Sequence, residues 1–296
     1  MQQNQLIKNA SYASVATGLM IFAIKALGWI KSDSASLFAS LVDSLLDITS
    51  SFLSMIAVHI ALSPADDNHR FGHNKVQDLA IFAQAIFFIS SGAFTLFVVG
   101  KRLWNHDHIS NYESGIWAML ICTILTMFLL SYQTYVINKT NSEIVKADKI
   151  HYFSDFASNI SVIISIFTSK YLAFADAIFG ILIALYIIFS STKLFRSSLK
   201  NLLDEEFSKE DKEKILNVLR NNAEILGVHD LKTRKAGDKA FIQFHIDLDP
   251  TISLISAHNI SEKISEELTA IFLNCEVIIH QDPIGYDDDV QYREKI

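Results

Sequence analysis

The sequence predicts an α-helical membrane protein with six transmembrane helices, followed by a small α/β domain of order αββαβ. Three observations predict it. Half of the 296 residues are hydrophobic, with 21 Phe against 3 Pro, and the apolar residues gather into long runs. Charge is unevenly divided: residues 1–200 hold 14 Lys and Arg against 12 Asp and Glu, whereas residues 201–296 hold 11 against 20. Past Lys200 the long runs give way to short alternating stretches. These features predict a transmembrane domain over 1–200, a soluble domain over 201–286 and an acidic tail over 287–296. So acidic a C-terminal part argues against nucleic acid as a partner. Cys122 and Cys275, the only cysteines, form no CxxC and no disulfide framework. The N-terminal apolar run lacks a small-residue cleavage site and is read as retained.

Six apolar runs are expected to cross lipid, at about 10–30, 36–62, 77–100, 114–138, 152–169 and 171–195. An even number of spans leaves both termini on one side. That side carries nine Lys and Arg near the span ends against four on the other, which places the termini in the cytoplasm by the positive-inside rule. Lys25, inside the first run, is expected to snorkel to an interface. Residues 207–222 read as an amphipathic helix, 226–236 and 239–249 as strands around a Gly237–Asp238 turn, 254–271 as a helix and 275–280 as a last strand. Helices covering one face of a small sheet follow from that order. The last residues read as a solvated tail.

The second run is unusual for a membrane helix. It carries Asp43 and Asp47, four residues apart and so on one helical face, with Ser40, Ser44, Ser51 and Ser54 near that face. One aspartate at mid-membrane costs about 2.5–3.5 kcal/mol on the insertion scale, and a neighbouring second one repels it. The pair calls for a cation, a proton or a basic partner. The fifth run opens with His151 and Asp155, also four apart. Three carboxylates and an imidazole on two helices suit a tetrahedral divalent ion, with zinc leading and iron(II), cadmium, cobalt or manganese as other cargoes. Protons and a divalent cation compete for the same lone pairs, so metal–proton antiport is expected. The sequence contains no G-x-x-x-x-G-K-[ST] phosphate cradle, which argues against ATP as the energy source.

Two further groups carry metal-ligand chemistry. Asp66, His69 and His73 form a D-x-x-H-x-x-x-H array between the second and third runs. In the soluble domain His229, His245, His258, His280 and Asp282 lie on predicted strands and a helix, which points to shared metal binding.

The motifs D43-S-L-L-D47, H151-Y-F-S-D155, D66-D-N-H69-R-F-G-H73 and H280-Q-D282 together resemble the cation diffusion facilitator family, and are most similar to its bacterial zinc and ferrous-iron exporters. The resemblance covers nearly the whole chain. It implies a homodimeric antiporter of the inner (cytoplasmic) membrane, with six helices per protomer and a metallochaperone-like cytoplasmic domain. Carried over by motif, Asp43, Asp47, His151 and Asp155 correspond to the transport site, and Asp66, His69 and His73 to a loop site. His229, His245, His258, His280 and Asp282 correspond to a binuclear cytoplasmic site that steadies the dimer. The resemblance further implies a dimer charge pair, Lys75 with Asp204. Asn68 stands where similar proteins often carry an acid.

Two rivals are weighed against a transporter. A metallohydrolase needs an open coordination position and a general base, and there is no H-E-x-x-H, so an enzyme is not expected. A membrane-anchored cytoplasmic metal sensor accounts for the donors after residue 200 and leaves the acids of the second run unexplained.

Overall fold

The computed structural model describes residues 2–32, 35–105, 116–168, 175–272 and 274–285, together with residues 292 and 294. The chain divides into two compact units, Met1–Leu199 and Lys200–Ile296.

The first unit is built from helices α1 (Gln2–Ser32), α2 (Ala35–Ala61), α3 (Lys75–Asn105), α4 (Ile116–Thr140), α5 (Glu143–Thr168) and α6 (Ala175–Leu202). Among the described residues, four stretches are long and apolar enough to cross a membrane: Gln3–Gly28, Lys75–Phe97, Leu120–Thr140 and Ile181–Leu202. Large side chains point outward, with Phe94, Phe97, Phe128 and Phe189 all exposed, while Ala10, Ala57, Ala80, Ala85 and Ala147 are buried. Lipid tails are as apolar as a leucine core, so such helices gain by bringing backbones close through small residues. Hydroxyls on Thr49, Ser90, Thr95, Ser131 and Thr192 donate to the carbonyl four residues back, which satisfies them without water.

Two helices begin earlier than their apolar runs. α1 starts at Gln2 because its polar first turns still bury Ile7 and Ala10. α5 starts at Glu143, well before residue 152. Asn141, at φ +52°, reverses the chain in two residues after α4, and Ile144, Val145 and Ala147 then pack inward. The charged residues Lys146, Asp148 and Lys149 interrupt the hydropathy of this segment but not its helical period.

The second unit has the order α7 (Lys209–Arg220), β1 (Gly227–Ala236), β2 (Lys239–Leu248), α8 (Leu254–Ile271) and β3 (Cys275–Pro283). Ser208 caps α7 by accepting from the Asp211 amide, and Ser253 caps α8 by accepting from Ser256. The sheet order is β1-β2-β3, with β1 and β2 antiparallel and β2 and β3 parallel. Phe244, Ile246, Leu248, Val277 and Ile279 face Ile215, Leu219, Ile264 and Leu268 of the helices in one core. Strand alternation therefore turns His245, Asp247, His280 and Asp282 to the face without helices. A bulge after His229, with Asp230 at φ +52°, lets both Val228 and Leu231 enter the core while His229 stays on the open face. β3 runs three residues beyond the expected strand. The C-terminal segment is not simply solvated where it is described. Tyr292 accepts from the Asp230 amide at 2.7 Å, and the Glu294 amide donates to the Val228 carbonyl at 3.0 Å along the free edge of β1.

The closeness of α3 to α6 rests on Gly92, where an added Cβ would lie 2.8 Å from Ile188 Cγ1 and 3.2 Å from the Ala184 carbonyl oxygen. Gly92→Leu is expected to cost about 1–3 kcal/mol through overpacking, read as a lower unfolding midpoint in detergent. Gly100→Leu, at a position with open space, is the matched control and should leave the midpoint in place.

Candidate metal centres

Helix α5 carries His151 and Asp155 one turn apart and presents them to Asp47 on α2. His151 Nε2 lies 2.9 Å from Asp47 Oδ1 and 3.5 Å from Asp155 Oδ2. The imidazole is buried, and Phe88 of α3 stacks on it at 4.9 Å with a 5° interplanar angle, fixing its plane. Donors about 2.0–2.1 Å from a tetrahedral zinc are separated by roughly 3.3 Å, the edge of that tetrahedron. The spacing around His151 brackets that value, so the set fits a small divalent ion. Asp43 lies on α2 one turn before Asp47, and its side chain is outside the described residues. Lys25, expected to snorkel, is half-buried and donates to Ser44 Oγ at 2.6 Å, because α2 offers its ammonium a polar neighbour inside the bundle.

In the α2–α3 loop, His69 Nδ1 lies 3.1 Å from Asp66 Oδ1, and His73 Nε2 lies 3.3 Å from Asp66 Oδ2. The Asp66 carboxylate accepts the amides of His69 at 2.6 Å and Asn68 at 2.9 Å. These hydrogen bonds, that from the His69 amide first, hold the Asp66 carboxyl below the usual carboxylate range. The carboxylate therefore stays charged, and the loop turn it organises persists, as pH falls through the ordinary aspartate range. Gly72, at φ +85°, allows the tight return that brings His73 back to His69.

The third cluster follows from strand register. His229 pairs with His245 and His245 with His280, while Asp247 pairs with Asp282 two residues further along. His245 Nδ1 lies 2.8 Å from Asp282 Oδ2, and His229 Nε2 lies 3.4 Å from the same oxygen. His280 Nε2 approaches the other oxygen, Asp282 Oδ1, at 3.2 Å. His258 does not join them in this chain. It is exposed on α8, and that helix packs on the opposite face of the sheet. Cys275 sits at the far end of β2–β3, opposite Ala240, and burial pushes its thiol up to about 11, so it supplies no thiolate at neutral pH. Of the implied dimer pair, Lys75 opens α3, and Asp204 lies 3.5 Å from Arg234 within its own unit.

Two carboxylates near these clusters were missed in the sequence. Asp148 is buried on α5, where Gln133 of α4 donates to Oδ2 at 2.9 Å and Ser51 of α2 to Oδ1 at 3.4 Å. Gln133 also donates to Ser14 of α1, and Tyr152 donates to the Ser14 carbonyl at 2.9 Å. The signal is present as Asp148, Tyr152 and Asp155 at i, i+4 and i+7, but hydropathy opens the fifth run only at residue 152. The second, Asp247, shares a strand face with His245 at i+2, and its side chain lies 3.3 Å from His229 Nε2.

A bundle of apolar helices with metal-spaced donors between two of them, joined to a sheet domain with a second donor set, defines a membrane protein that handles metal cations. The sequence matches the cation efflux transmembrane domain over residues 11–203 and the cation efflux protein cytoplasmic domain over residues 207–284. The chain belongs to the cation efflux family, whose members are transporters rather than enzymes. It is 50% identical to Protein p34 of Rickettsia rickettsii, over 99% of this chain and 98% of that one. It is 40% identical to the cation-efflux pump FieF of Shewanella oneidensis, over 96% and 97%. Among solved structures, the metal-bound C-terminal domain of the CzcD transporter from Thermotoga maritima aligns at 27% identity, covering 28% of this chain and all of that one, with a TM-score of 0.27.

Asp148→Ala removes one of the two acceptors of the buried Gln133 amide, leaving it Ser14 alone, and is expected to destabilise the helical unit by about 1–3 kcal/mol, measured as the unfolding midpoint in detergent. An unchanged midpoint would show that the four-helix network does not hold α5 in place. Separately, an NMR titration followed at the His69 amide should have its midpoint below the ordinary aspartate range, and a midpoint within that range would contradict the Asp66 turn.

Proposed function

We propose that this cation efflux protein exports a divalent metal, zinc foremost, from the cytoplasm in exchange for protons. The observation that carries the reading is the approach of His151 on α5 to Asp47 on α2 at 2.9 Å, with Asp155 beside them, inside the helical unit. A nitrogen and carboxylate oxygens suit zinc and also admit iron(II), cadmium, cobalt and manganese; an imidazole counts against magnesium. Asp43, one helical turn before Asp47, completes the transport set.

Exchange follows from the chemistry of these side chains. Each carboxylate oxygen, and the His151 nitrogen, binds either a proton or the ion through the same lone pair. Cargo entering from the cytoplasm displaces protons, and protons arriving from the outer side displace cargo. In this reading all six helices cross the inner membrane with both termini cytoplasmic. The chain works as a homodimer through its cytoplasmic domain, with Lys75 and Asp204 as a charge pair at the membrane surface. Asp66, His69 and His73 form a cytoplasm-facing metal site on the loop. The cluster of His229, His245 and Asp282, with His280 on the second Asp282 oxygen, holds metal that steadies the dimer.

The donor set on the sheet also favours one other reading, a membrane-anchored metal sensor that binds without transport. Flux through purified protein in liposomes separates the two. Zinc movement is expected to accelerate when a pH gradient is imposed against it, and Asp47→Ala or His151→Ala is expected to lower the rate at least tenfold. Zinc movement indifferent to the gradient overturns the exchange, and binding with no movement favours the sensor. A Lys75→Asp, Asp204→Lys double exchange should recover dimerisation lost by either single change, and failure to recover it removes the charge pair.

A further inference from the structure

We propose that Asp247 is a metal ligand of the sheet cluster, completing a four-donor site with His229, His245 and Asp282, and that Gly227 is glycine to make room for it. The inference rests on the reading that this cluster holds a divalent cation, and names a ligand beyond those already assigned.

Three observations point the same way. The Asp247 side chain is 4% exposed and the His229 side chain 5%, so both are withdrawn from water. Asp247 Oδ1 lies 3.3 Å from His229 Nε2, yet Oδ1 and both ring nitrogens of His229 have no hydrogen-bond partner. Buried polar atoms are nearly always paired, so this much unused donor capacity in one spot is what a cation site looks like before the cation is counted. The register also sets Asp247 directly beside Asp282, and two neighbouring carboxylates on one strand face repel unless a cation lies between them.

Gly227 is the register partner of Asp247 on the other side. A Cβ there would stand 2.1 Å from Asp247 Oδ2 and 3.1 Å from its Cγ. Its backbone is not in the left-handed region, so the glycine serves space rather than conformation. Any larger residue would push the carboxylate off the cluster.

The separations at His229 support the geometry: His229, His245 and Asp282 already lie together, and Asp247 joins them through His229. His229 Nε2 is 3.3 Å from Asp247 Oδ1 and 3.4 Å from Asp282 Oδ2, close to the tetrahedral edge of roughly 3.3 Å expected around zinc. With His245 Nδ1 the set has two nitrogens and two oxygens, all from one chain. His280, on the opposite oxygen of Asp282, lies outside it.

The full chain in detergent, stripped of metal, tests this by zinc competition against a chromophoric chelator, in a background carrying Asp47→Ala and Asp66→Ala so that the sheet cluster reports alone. Asp247→Asn and Gly227→Ala are each expected to weaken zinc at least tenfold, as His245→Ala does, while Asp249→Asn, on the exposed turn after β2, leaves it unchanged. Without metal, Asp247→Asn should melt no lower than the parent, since it relieves an unpaired buried charge, and it should lose the rise in melting temperature that zinc confers. If His245→Ala weakens zinc and Asp247→Asn does not, Asp247 is no ligand while the cluster stands. If neither weakens it, the cluster holds no metal and both readings fail. A fall in metal-free melting for Asp247→Asn would make the residue a structural support, and that too overturns the assignment.

Discussion

A carboxylate withdrawn from water must meet a cation, a proton or a set of hydrogen-bond donors, and in this chain that requirement governs where the helices lie. Asp47 meets His151 across α2 and α5, and Asp148 meets Gln133 and Ser51 across α4 and α2. Tyr152 adds α1 through the Ser14 carbonyl. Helix α5 is therefore held on three sides by polar contacts, beside an apolar core in which Ile7, Val58, Ile81, Ile144 and Val145 pack with the alanines. The acids that make the bundle expensive also make it specific: a turn of α5 by one residue would leave both acids without partners.

The sheet unit reaches a similar end by different means. Its donors come from register, not from helical facing: a row of His229, His245 and His280 lies beside a row of Gly227, Asp247 and Asp282. Helices on one face supply the apolar core, which leaves the other face free for ligands. The bulge at Asp230 keeps both rows compatible with a filled core, because it absorbs the extra residue between Val228 and Leu231. The two units thus treat charge in contrasting ways. In the helices donors from different elements converge on His151, whereas in the sheet a continuous ladder aligns them.

Much of this was legible before any coordinates. Hydropathy located the apolar centre of every helix in the first unit, and period-two alternation located β1 and β2, because those signals follow directly from which faces are buried. The pairs at i, i+4 brought Asp47, His151 and Asp155 forward, since one turn is a local relation. What escaped depended on relations the local pattern does not encode. Asp148 lies beyond the reach of hydropathy because a hydropathy window ends where charges begin, although the helix continues through them. His258 is distant from the sheet donors within one chain, because its helix covers the other face of the sheet. Asp247 stood in plain view two residues after His245. Its importance appears only when Gly227, twenty residues earlier, is placed against it by strand pairing.

The central claim is that α2 and α5 share one ion. Zinc-edge anomalous diffraction from crystals of the zinc-loaded chain measures this directly. The account predicts a peak between the two helices, about 2.0–2.2 Å from His151 Nε2 and from carboxylate oxygens of Asp47 and Asp155. A loaded chain with zinc at the loop and sheet clusters and no peak between α2 and α5, or with a peak there that leaves His151 unbound, would contradict it.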